Sequence, residues 1–185
     1  MRNFTYDFVR AFYAPQRLYQ DIHDGRPSPS WLCVLFYSLV YVVGCFWLYF
    51  TGHEPFARSW IILDPQNYYL VEAFFCLPLV FLLWIQAAGT LHVLSRLLGG
   101  HSHFDTVLRM TGYSIWAPWW ILIPFDIFPT PAWLYNMVLV VCIVLMLAGT
   151  SAAVKAEAGT GWVAAIANTM VALTAMGVIM FTFIR

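Results

Sequence analysis

Residues 31–50 read WLCVLFYSLVYVVGCFWLYF, twenty positions without a single charge. A helix of that length rises about 30 Å, the thickness of a bilayer's hydrocarbon core. The stretch reads as a membrane span. Similar apolar runs recur at approximately 69–94, 107–124, 132–149 and 162–184. The expectation is therefore an all-α polytopic membrane protein: five transmembrane helices over residues 31–185, preceded by an amphipathic segment over residues 1–30.

The composition points the same way. The chain is 62% hydrophobic and only 10% charged, whereas a soluble domain is about 25% charged. A water-soluble fold is excluded, and 185 residues so distributed leave no room for a separate soluble domain. Formal net charge is zero, so the balance carries no nucleic-acid footprint. The four cysteines, Cys33, Cys45, Cys76 and Cys142, all lie inside apolar runs. They read as small packing residues, with no disulfide framework, redox motif or metal site implied.

Between Phe4 and Ile22, the residues Phe4, Phe8, Val9 and Phe12 share one helical face and Pro15 interrupts the pattern. This broken amphipathic helix fits two placements, flat on the membrane surface or packed under the bundle. With seven charged residues in the first thirty, the segment is no secretory signal. A polar connection with Glu54, Arg58, Trp60 and Asp64 leads to the second span, where Tyr68 and Tyr69 are interfacial anchors. Pro78 is expected to kink that span, and Pro118 to break the third, the least regular of the five. No internal repeat is visible.

Basic residues mark orientation, because short positively charged loops stay in the cytoplasm. Arg2, Arg10, Arg17, Arg26, Arg96, Arg109 and Lys155 would fall on one side of a five-span chain; only Arg58 and Arg185 would fall on the other. This implies a cytoplasmic N-terminus and an external C-terminus.

The stretch from Gly99 to Pro118, GGHSHFDTVLRMTGYSIWAP, joins a paired-glycine turn, Phe104, Arg109, the triplet Gly112-Tyr113-Ser114 and a proline. It resembles the Yip1 domain family, in which this order of residues joins the second and third of five membrane helices. The N-terminal AFYAPQRLYQDI, followed by a turn and Trp31, is also similar to the family's bacterial members. Eukaryotic members act in vesicle trafficking with small GTPases, through a longer N-terminal region than this one. What the resemblance implies here is the bacterial kind of role: an accessory subunit in the cytoplasmic membrane, beside transport systems.

Candidate functional residues are few. Glu72 lies well inside an apolar run, and ionisable groups in a membrane are costly enough to be functional candidates. Gln86 falls about four turns on, on nearly the same face. His92, Asn136 and Asn168 add polar groups to spans two, four and five, where interhelical hydrogen bonding is the ordinary use. In span five Ala164, Ala172 and Gly177 form a small-residue face expected to contact another helix. His101 and His103 lack a third ligand at a fixed spacing. No HExxH, GxSxG or phosphate-binding glycine loop occurs.

Neither a cofactor nor an enzymatic activity is expected. The favoured function is a non-catalytic scaffold or accessory protein that binds other membrane proteins, including copies of itself. The alternative is a small transporter with a polar interior around Glu72 and Gln86.

Overall fold

A computed structural model describes residues 2–53 and 67–183. The polar connection carrying Glu54, Arg58, Trp60 and Asp64, and the terminal Arg185, lie outside the described residues. Among the described residues eight helices follow in order: α1 (Arg2–Tyr13), α2 (Pro15–His23), α3 (Trp31–Phe50), α4 (Tyr68–Leu97), α5 (Phe104–Ser114), α6 (Trp116–Ile127), α7 (Ala132–Ala158) and α8 (Trp162–Phe183). Among the described residues there is no strand.

Four of these helices, α3, α4, α7 and α8, are each long and apolar enough to cross a membrane. Their outward positions are apolar as well: Val43, Phe74, Leu82, Val144 and Val163 are all exposed. Only a hydrocarbon solvent makes such an exterior stable, and the protein is an integral membrane protein.

The expectation of five transmembrane helices is corrected: among the described residues four helices are long and apolar enough to span. The third run, expected over 107–124, is divided at Ile115 into an 11-residue and a 12-residue helix. Pro118 explains where the break falls. It has no N–H to offer the carbonyl of Ser114, while a proline in the first turn of a new helix removes no helical bond.

The fourth run is longer than expected. It continues past residue 149 through Thr150, Lys155 and Glu157, and ends only where Gly159 adopts φ +65°, a left-handed cap that suits a residue without a side chain. Pro78 lies inside α4, which continues through it.

The ends of the helices show how they are arranged. Gly100, in the turn after α4, packs on the carbonyl of Ala158 at the C-terminus of α7. Gly112 faces Ser30 just before α3, Pro118 meets Cys142, and Ile127 packs on Gly44. The α5–α6 pair therefore carries the chain from beside the end of α7 to beside its start.

The N-terminal segment, for which two placements were open, packs against the bundle. Leu18, Tyr19 and Ile22 of α2 are buried, and Tyr19 reaches Gly149 and Ser114. Phe4 and Phe8 of α1 face inward to Phe36, Tyr113 and Trp120, whereas Val9, expected on their face, is exposed on the other side of the helix.

Candidate functional site

The residues of the glycine-turn stretch build one seam between α4, α5 and α7. Gly99 takes φ +79°, a conformation that favours glycine. A Cβ on Gly100 would stand 2.9 Å from the carbonyls of both Ala158 and Ser95, so only glycine lets the chain pass. Ser102 bonds Nδ1 of His92 at 2.9 Å, and Phe104 sets its ring near that imidazole, 6.0 Å between centroids.

Further along, the His103 backbone N–H donates to Oε1 of buried Glu157 at 2.6 Å, satisfying an orphan donor at the start of α5. The other oxygen of Glu157 meets Nδ1 of His23 at 2.7 Å. Arg109 pairs with Asp105 one turn away. A Cβ on Gly112 would meet Ser30 at 2.7 Å. The Tyr113 hydroxyl pairs with Ser28 at 3.2 Å, Thr150 donates to Ser114 at 3.0 Å, and the Cys142 thiol donates to the carbonyl of Pro118 at 3.3 Å. The stretch is thus a set of closures between helices.

An ionic cluster locks the N-terminal helices beneath this seam. Arg10 meets Asp21 at 2.7 Å, and Arg26 bridges Asp7 at 3.0 Å and Asp21 at 3.2 Å. Burial raises the Asp7 carboxyl above its usual range, against the pull of Arg26 and Ser28. The Arg10 hydrogen bond holds Asp21 below that range.

The second feature is a cavity of about 420 Å³ between α3, α4, α6, α7 and α8, within the range of small-molecule sites. Its walls are mostly apolar, with Tyr37, Tyr41, Asp126, Tyr135 and Thr174 as the polar exceptions. Glu72 stands behind Tyr41, whose hydroxyl donates to Oε1 at 3.2 Å. Asp126 and Glu72 both act electrostatically on Tyr37, Tyr41 and Cys45, which places the two acids around one group of side chains.

Asp126 has no counterpart among the sequence candidates, because the third run was ended at Pro124. The signal for the site was present in span one, where Tyr37, Tyr41 and Cys45 recur every four residues along one face.

The sequence candidates are spread over several places. Gln86 lies about 21 Å along α4 from Glu72, bonds Thr90 of its own helix at 3.0 Å, and does not line the cavity. His92 belongs to the seam. Asn168 is buried. Asn136, expected in the bundle interior, is exposed, on the same outer face of α7 as Trp133 and Val140.

The small-residue face of α8 also divides. Ala172 is buried with Ala88, Leu91 and Ala165 in this chain's own core, Ala164 is half-buried, and Gly177 has open space where a Cβ would stand. His101 and His103 are exposed. Among the described residues no three His, Cys, Asp or Glu side chains gather at one metal site.

A helical membrane bundle closed by a glycine-turn seam belongs to the class of polytopic membrane proteins. The model of the Yip1 domain matches residues 9–183, nearly the whole chain, and the chain belongs to that family. No curated protein matches it, and no solved structure does either.

Proposed function

We propose that the protein is a non-catalytic accessory subunit of the Yip1 type, which binds other membrane proteins through its N-terminal helices. The observation that carries this reading is the outer face of α1. Tyr6, Val9 and Tyr13 are 53%, 51% and 65% exposed and lie together on the side opposite Phe4 and Phe8, which pin the helix to the bundle. Tyr6 is held between Arg10 and Arg26, at 5.2 and 5.7 Å from its ring. An ordered aromatic surface loses little side-chain freedom on binding, which suits it to recognition.

In this reading the α5–α6 pair acts as a fifth, broken crossing. Eleven and twelve residues of helix are together long enough for one passage, and the pair already links opposite ends of α7. The N-terminus then lies in the cytoplasm of a bacterial cell and the C-terminus outside, in accord with the distribution of arginine and lysine.

The test is co-purification from native membrane. Replacing Tyr6 and Tyr13 together by Ser should remove the membrane proteins that accompany the wild type, with the melting of the bundle unchanged. Retention of the same partners by that variant contradicts the proposal.

A second reading has one specific support. Asp126 and Glu72 beside a cavity are the kind of intramembrane acids that line ion and proton paths. Transport of a cation or proton by reconstituted wild-type protein, lost in Glu72→Gln, would favour it over the accessory role.

A further inference from the structure

We infer that the bundle stands obliquely in the bilayer: the flank formed by α4 and α8 is immersed in acyl chains as far as the turn after α4, while α2, at the same level on another flank, stands in water. The inference is independent of the partner-binding role, and of which side of the membrane that turn faces.

The helices differ in reach at this end. Tyr41 of α3 bonds Glu72 of α4 and Phe46 packs on Phe74, so antiparallel α3 begins, at Trp31, roughly level with Gln86. From there α4 continues to Leu97, about three more turns or about 16 Å. The start of α8 runs beside this extension, packed on it through Ala88, Leu91 and Ala165.

A helix extension standing in water carries polar residues on its outer side. This one does not. Phe75, Leu82, Val93 and Leu97 follow one exposed face of α4, and Leu97 is 75% exposed. Val163, Ile166 and Met170 do the same on α8, where Val163 is 84% exposed. The lipid-facing column of each helix thus runs on, apolar throughout, beyond the level at which α3 begins. Exposed Arg96, and Lys155 set 4.3 Å over the ring of Trp162, mark where the column ends. Long cationic side chains reach head groups from the edge of the hydrocarbon, and tryptophan collects at that boundary.

Another flank has the opposite surface at this level. Gly149 and Glu157 of α7 face Tyr19 and His23 of α2, whereas Val154, between them in sequence, packs with α4 and α8. The outward residues of α2 include Gln16, Arg17 and Gln20, which suit water and not acyl chains. A boundary that passes Arg96 and Trp162 on one flank and leaves α2 outside on the other crosses the bundle at a slant.

The test places single cysteines at Leu97, Val163 and Gln20 of the full-length protein, each carrying a nitroxide, in nanodiscs of phosphatidylethanolamine and phosphatidylglycerol. The native cysteines are buried. Collisions with oxygen report hydrocarbon, and collisions with a water-soluble nickel chelate report water. Labels at Leu97 and Val163 should favour oxygen several-fold more than the label at Gln20. Nickel access at Leu97 and Val163 equal to that at Gln20 overturns the inference, as does exclusion of both probes from those two labels, which would mean that protein covers the flank.

Discussion

Glu157, near the end of α7, accepts the backbone N–H of His103 at 2.6 Å, so one buried carboxylate ties the start of α5 to the end of α7. The same group holds His23 of α2. Removing it would leave a buried backbone donor unpaired, whereas removing His23, nearly half exposed, would take away only a solvent-screened partner. Glu157→Ala should lower stability by about 1–3 kcal/mol, and His23→Ala by clearly less. Thermal unfolding in detergent checks the order of the two.

Glycines at three points of the bundle should respond differently to the same change. Gly112→Ala sets a methyl group against Ser30 at 2.7 Å, a crowding that costs about 1–3 kcal/mol. Gly100→Ala meets two carbonyls at 2.9 Å and should also destabilise. Gly177→Ala meets nothing and should stabilise α8 by about 0.5–1 kcal/mol, the helix preference of alanine over glycine. Melting temperatures of the three variants provide the comparison.

How much of this was legible in the sequence follows from what each residue interacts with. Span one, Trp31–Phe50, was read to the residue because the apolar run is bounded by Pro27, Pro29 and Ser30 before it and by Thr51 and Gly52 after it. The glycine-turn stretch identified the family because its tight packing admits few residue types. The break at Ile115 was only half visible: Pro118 marked it, but a proline shows that a helical bond is lost without showing which carbonyl gives way. The cavity was illegible, because its walls come from five helices far apart in sequence. Asp126 looked like the end of a span, and Gly177 looked like a contact although it faces open space.

Asp7 and Asp21 share an arginine partner, yet their effects on stability should run in opposite directions with pH. Asp21 has a lowered folded-state value, so its contribution is present above the ordinary carboxylate range and is lost as pH falls through the lower value. The deficit of Asp21→Asn relative to wild type should therefore shrink on acidification. Asp7 has a raised value, so the folded state holds its proton longer and stability falls as pH rises through that window. Asp7→Asn should gain on the wild type over the same rise. Unfolding curves from acid to neutral pH test both signs.

If the α5–α6 pair makes a crossing, the two ends of that pair lie on opposite sides of the membrane. A cysteine placed at exposed His101 should resist an impermeant thiol reagent added outside intact cells, and one at Thr130 should react. The four native cysteines are all buried and set a low background. Equal labelling of the two positions would contradict a fifth crossing.

The accessory role stands or falls on the outer face of α1, and site-specific photo-crosslinking in living cells reads that face most directly. A photoreactive residue at Tyr13 should give discrete adducts with other membrane proteins, while the same residue at Phe8, which packs on Trp120, should give none. Tyr13 adducts made only of lipid, or protein adducts equal at the two positions, would contradict the account.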